Sequence, residues 1–240
     1  MMINFRVLGG IGNILWQISA RVKRFGKETI GIVPGNNKVE TTLKKWINPK
    51  ILKIHNRNDG YIDGYYQDPY WLCTPKEVIS WLNLDTATVP GTVKDFQLVV
   101  HVRGGDFLTS AAHMYCHQKE EYINAIMSEL NLSKSDVLII TDDVDRTKNS
   151  IGKGWHCMST NDDICAFKIM LQAKYLLTMP GSTFSWWAGY LGSHNKVFIP
   201  YGQWPCDKGF LKDVTSTQCS EDFVYNLPLE YRLVFDGIQQ

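Results

Sequence analysis

A two-part α/β fold, each part a small parallel sheet doubly wound with helices, is what this 240-residue sequence predicts. Three observations carry the prediction. The chain opens with a strand, a glycine turn, a helix and a second strand, which make a βαβ unit. Its second half alternates short apolar strands with helical stretches, the pattern of a parallel sheet. Between the halves lies "DTATVPGTVKD" (85–95), a polar stretch with a Pro-Gly pair that reads as a linker. The predicted domains are therefore 1–94 and 95–240, facing a cleft. Ligands of such sheets bind beyond the carboxyl ends of the strands.

In the first half, "INFRVLGG" reads as a strand running into a glycine turn. In "NILWQISARVKRFG", Ile14, Leu15, Ile18 and Val22 share one helical face, and Gly26 closes the helix. "ETIGIVP" is the second strand. A short helix is expected around "VETTLKKWI" and a strand at "KILKI". "IDGYYQDPYW" is an aromatic loop punctuated by Gly, Asp and Pro. "TPKEVISWLNL" has Thr74 as a cap, Pro75 at the first helical position and Glu77 three residues after the cap, so it is a helix.

In the second half, "FQLVVHV" is a buried strand. "KEEYINAIMSELNL" is an amphipathic helix, and "DVLIITDD" a strand ending on two aspartates. "DDICAFKIMLQAK" is helical, "YLLTMPG" a strand, "STFSWWAGYLG" a Ser-capped helix and "KVFIP" the last clear strand. From Trp204 onward the pattern is irregular.

Composition narrows the function. At 44% hydrophobic and 20% charged residues the chain is an ordinary globular protein. A net charge of +1 gives no global field for nucleic acid. The charge is uneven: residues 1–95 carry 13 Lys+Arg against 8 Asp+Glu, and residues 96–240 carry 12 against 16. The six cysteines form no CxxC pair, which argues against zinc. No signal peptide and no apolar run of membrane-span length is visible, so a cytoplasmic protein with reduced thiols is expected.

The polar clusters share one position. "GGIGN" (9–13), "HVRGGD" (101–106), "TDD" (141–143) and "GSTFSWW" (181–187) each follow a strand, so a parallel sheet gathers such ends on one edge. Gly10, Gly12 and Asn13 bring backbone N–H groups to a helix start, where the dipole favours anions; the same glycines also suit a plain tight turn. Arg103 can pair bidentately with a phosphate, His101 can donate to a base or ribose, and Asp106 can accept from Arg103 or a ligand hydroxyl. An Arg103–Asp106 pair that only orders the loop is the alternative. Ser182 and Thr183 hydroxyls and the first amides of their helix suit a second phosphate oxygen. Trp186 and Trp187 read as core. "DVD" (143–145) fits the short acidic motif of metal-dependent glycosyltransferases, with Asp143 and Asp145 as ligands; helix capping by the strand-end aspartates is the competing reading.

"GGIGNILWQIS", "GYYQD" (64–68), "HVRGGD", "ITDD" and "STFSWWAGYLG…NKVFIP…W" occur in the order found in the α-1,2-fucosyltransferases of glycosyltransferase family 11, which the chain resembles over residues 4–204. The resemblance implies a GT-B architecture of two Rossmann-like domains. It also implies GDP-fucose as donor, a glycan hydroxyl as acceptor, inversion at the anomeric carbon, and no metal or other cofactor. Arg103 then corresponds to the diphosphate-binding arginine, with Asp106 beside it as a catalytic candidate. His101, Asp142, Ser182, Thr183, Phe184, Gly10, Gly12 and Asn13 fall on the donor side, and Tyr66, Gln67 and Asp68 on the acceptor side. Asp106 and Asp68 are both candidates for the general base. The chain departs from the family at three places. Gly104 stands where a second arginine is expected, and Gly181 where an asparagine is. Ala166 and Phe167 occupy the region of a helix aspartate that partners the base, with Asp162 and Asp163 several residues upstream. These departures leave room for another GDP-sugar, or for a nucleotide- or glycan-binding protein without catalysis.

Overall fold

The structure, a computed structural model, describes residues 3–54, 71–103, 120–160, 162–179 and 182–198. It divides into two compact units, Met1–Thr86 and Ala87–Gln240.

In the first unit, β1 (Ile3–Val7) and β2 (Ile30–Pro34) pair in parallel with Ile3 opposite Ile30. The helix between them, α1 (Ile11–Phe25), buries Ile14, Leu15, Trp16 and Ile18 completely. Its last turn carries Lys23 and Arg24, which favour the negative end of the helix dipole. The next helix, α2 (Asn37–Trp46), starts where the Asn36 side chain accepts from the Val39 N–H at 3.0 Å. The expected strand at "KILKI" is reduced to one bridge, Ile54 to Ile32. The helix α3 (Pro75–Trp81) has the full capping box. The Thr74 hydroxyl accepts from the Glu77 N–H, and the Glu77 carboxylate accepts from the Thr74 N–H at 2.9 Å.

The second unit holds β3 (Leu98–Val102), α4 (Glu120–Leu130), β4 (Val137–Thr141), α5 (Val144–Ile151), β5 (His156–Ser159), α6 (Asp163–Leu171), β6 (Tyr175–Leu177), α7 (Thr183–Leu191) and β7 (Lys196–Phe198). All five strands are parallel, in the order β5-β4-β3-β6-β7. The chain therefore starts in the middle, winds outward to β5, returns and winds outward to β7. The sheet is doubly wound, as the sequence led one to expect, and its topological switch point lies between β3 and β6. On one face, Leu98, Val100 and Val102 pack with Ile123 and Ile126 of α4 and Ile151 of α5. The alternating residues face α6 and α7. Gly189 lets α7 approach that face closely, because a Cβ there would stand 2.9 Å from Val197 Cγ1.

Two pieces of the second unit escaped the sequence pattern. In α5 only Thr147 and Ile151 are buried, and β5 is a half-exposed edge strand, so neither carries an apolar period. The stretch read as a linker is hydrogen-bonded to α6 at its start. Ala87 C=O accepts from Lys168 Nζ at 2.6 Å, Thr88 C=O accepts from Cys165 Sγ at 3.4 Å, and Ala87 and Val93 are buried. Of the described tryptophans, Trp16, Trp46, Trp81 and Trp187 are fully buried and Trp186 nearly so, which makes them core. No described helix is long and apolar enough to cross a membrane.

Candidate functional site

In the first unit the glycine cluster forms the turn between β1 and α1. Gly9 sits at φ +87°, and any side chain there would be strained and would meet Asn13. Gly10 is the N-cap of α1 with no side-chain cap, and no acidic residue occupies the first turn. Gly12 is buried within that turn and Asn13 is half-buried. The turn is held by a residue the sequence reading passed over. Gln17 Oε1 accepts from the Leu8 N–H at 3.1 Å, while Nε2 donates to Leu8 C=O at 2.8 Å and Asn13 C=O at 3.0 Å. Its orientation is unambiguous, since a flipped amide would set oxygen against two carbonyls. Gln17 is 4% exposed, so it serves Leu8 as a substitute strand partner.

In the second unit three of the predicted clusters meet at the carboxyl edge of one sheet. Register places Val102 opposite Thr141, with Arg103 and Asp142 one residue beyond the paired strands. Strand β6, on the other side of β3, leads into the N-terminus of α7. His101 is 7% exposed, and its ring lies 5.7 Å from that of Phe184 in the first turn of α7. Phe184 in turn meets Phe167 of α6 at 5.3 Å. Burial, and after it the positive charge of Arg103, push the His101 imidazole down to about 3. The ring is thus neutral at physiological pH. Its Nδ1 is buried without a hydrogen-bond partner among the described residues. The neutral ring adds no charge of its own beside the half-buried Arg103.

Of the aspartates after β4, Asp143 serves local structure. Asp143 caps α5, accepting from the Arg146 N–H at 3.0 Å, and its other oxygen lies 3.4 Å from Arg146 Nε. Its own N–H donates to Thr141 Oγ1, which also shares a 2.7 Å hydrogen bond with Thr147. Asp142 and Asp145 are exposed. Among the described residues no group of three or more His, Cys, Asp or Glu side chains is placed to hold a metal ion.

Ser182 is the N-cap of α7, its hydroxyl accepting from the Ser185 N–H at 3.5 Å. Ser185 Oγ accepts from the Met179 N–H at 3.1 Å and donates to Ser182 C=O at 3.4 Å. Thr183 and Phe184 are half-buried in the first turn. Ser185 and Met179 are the site-forming residues that the sequence reading did not single out. The repeated serine of "STFSWW" is the trace that could have revealed the first of them. Helix α6 begins at Asp163, with the Asp162 carboxylate accepting from the Ile164 N–H at 3.1 Å. Ala166 and Phe167 are buried one turn later. Tyr66, Gln67, Asp68, Gly104, Asp106 and Gly181 lie outside the described residues.

The family model described as "Glycosyl transferase family 11" matches residues 74–225. A comparison with curated proteins found no match. Among solved structures the chain is similar to NodZ alpha-1,6-fucosyltransferase soaked with GDP-fucose, at 13% identity and a TM-score of 0.46, over 80% of this chain and 92% of that one. The same values hold for fucosyltransferase NodZ from Bradyrhizobium. The dodecameric iron-containing heptosyltransferase TibC is similar at 9% identity and a TM-score of 0.43, over 82% of this chain and 58% of that one.

Proposed function

The chain belongs to glycosyl transferase family 11, and from that membership we propose that it moves L-fucose, or a related 6-deoxyhexose, from a GDP-sugar to a glycan hydroxyl. The 2-OH of galactose is the acceptor position we assign. Residues 95–240 bind the donor and residues 1–94 serve the acceptor, through Tyr66, Gln67 and Asp68. The observation that supports the reading is Arg103 at the switch point of the parallel sheet, beside a neutral, buried His101 whose ring meets the first turn of α7.

The chemistry follows from where charge develops. The acceptor oxygen attacks the anomeric carbon as the carbon–oxygen bond to the β-phosphate breaks. The sugar passes through an oxocarbenium-like state with inversion, and negative charge collects on the departing diphosphate. Arg103 and the amides at the start of α7 meet that charge with fixed positive groups, so the transfer proceeds without a metal or other cofactor. His101, kept neutral, acts as a hydrogen-bonding group toward the nucleoside. Asp142, Ser182, Thr183 and Phe184 complete the donor side. Asp106 takes the acceptor proton as general base. The protein works in the cytoplasm.

A thermal-shift panel of GDP, UDP, ADP and several GDP-sugars, with and without manganese, tests this reading. GDP and GDP-fucose raise the melting temperature in a metal-independent way, and UDP and ADP do not. Stabilisation by UDP, or only with manganese, would overturn it. Stabilisation by GDP with no transfer to any galactoside would instead mark a binding protein.

A further inference from the structure

We propose that Met179 is a positioning residue for Arg103, and that Met179 and Ser185 together set the spacing between the arginine and the start of α7. The inference rests on the donor-binding reading of Arg103 given above. The observations are a chain of contacts across the switch point. The Arg103 backbone N–H donates to Met179 Sδ, a weak acceptor, linking residues 76 apart in sequence. Met179 is 2% exposed, so its side chain has one place to lie. Its backbone is held on both sides of Cα, its N–H by Ser185 Oγ at 3.1 Å and its C=O by the Ser182 N–H at 3.1 Å. Ser185 is itself fully buried and returns a bond to Ser182 C=O.

The reason such a device is needed lies in the sheet. Regular pairing of β3 with β6 stops at Val100 opposite Leu177. Beyond it β3 stays paired with β4 as far as Val102 opposite Thr141, and Thr178 bonds to Phe198 of β7, so the ladder between β3 and β6 itself ends at the switch point. Met179 supplies the missing cross-link: its thioether accepts from one loop while its backbone is tied to the other. A ligand contacting both Arg103 and the α7 amides needs their separation fixed within a fraction of an ångström. Misplacement by about 1 Å costs up to a hundredfold in such sites.

The test compares GDP affinity by calorimetry, and donor hydrolysis kinetics with GDP-fucose, in wild type and four variants. Met179→Leu keeps the volume and removes the acceptor; it weakens GDP binding about tenfold and raises KM for the donor more than it lowers kcat. Met179→Gln restores an acceptor at similar reach and binds within about threefold of wild type. Leu177→Ala, a core change in β6, lowers the melting temperature but leaves GDP affinity unchanged. Arg103→Ala reports on the underlying reading. If Arg103→Ala abolishes GDP binding and Met179→Leu binds normally, the positioning role is wrong while the donor site stands. If Leu177→Ala weakens GDP as much as Met179→Leu does, the effect is structural and the inference fails. If Arg103→Ala binds GDP like wild type, the donor-site reading fails and this inference falls with it.

Discussion

His101 makes the second unit lose stability in mild acid. In the folded protein its ring is buried and its pKa is pushed down to about 3, first by burial and then by Arg103. In the unfolded chain it titrates at its ordinary value, near 6.5. Above that value the ring is neutral in both states and the proton has no effect. As pH falls between the two values, only the unfolded chain takes up the proton, so stability drops by about 1.4 kcal/mol per pH unit. From pH 7.5 to pH 5.0 the loss from this group is about 2 kcal/mol, and it is complete only near pH 3. For a unit of this size that is a fall of roughly 4–8 °C in melting temperature. Scanning calorimetry of wild type and His101→Gln at pH 7.5, 6.5, 5.5 and 5.0, at constant ionic strength, isolates the effect. The glutamine variant starts lower but lacks this part of the acid slope. Parallel pH profiles for the two proteins would refute the buried, neutral ring.

Other consequences are independent. His194 Nδ1 lies 2.7 Å from Ala173 C=O and Nε2 lies 3.1 Å from Ala188 C=O, tying the ends of α6 and α7 together. Ala188 C=O also accepts from the Gly192 N–H, so replacing His194 with alanine deprives chiefly the Ala173 carbonyl of a partner and costs about 1–3 kcal/mol in urea unfolding. Gln17→Leu removes three hydrogen bonds from the β1–α1 turn. It destabilises the first unit by about 2–4 kcal/mol, and Gln17→Glu does not rescue it because a carboxylate cannot donate to the two carbonyls. Asp143→Asn keeps the α5 cap, with stability within about 0.5 kcal/mol of wild type, and Asp143→Ala loses about 1 kcal/mol. Neither changes transfer with or without EDTA; loss of a manganese-dependent activity in both would restore the metal reading.

What the sequence disclosed depends on the range of the interaction. The Thr74–Pro75–Glu77 start of α3 was legible because all its partners lie within one turn. The strand before Arg103 was legible because five consecutive buried residues leave no other choice. The cap formed by Asp143 was visible as one of two readings, and the Arg146 contacts show that cap. By contrast α5 and β5 are polar or half-exposed and print no period. Met179 looked like one apolar residue at a strand end, since its partner lies in another loop. Gln17 was in plain view inside "GGIGNILWQ", but nothing local says that its amide turns back onto Leu8. The Pro-Gly segment 85–95 has linker composition and is nonetheless fastened by Lys168 and Cys165, because side chains from a helix some eighty residues away reach its carbonyls.

The central claim is that Arg103 meets the charge of a departing diphosphate. The most direct test is GDP release from GDP-fucose, measured with and without a galactoside acceptor, for wild type and Arg103→Ala. The account predicts acceptor-stimulated release by wild type. It predicts a loss of at least about a hundredfold in the variant, whose circular dichroism stays that of a folded protein. Turnover within a few-fold of wild type in a folded Arg103→Ala protein would contradict it.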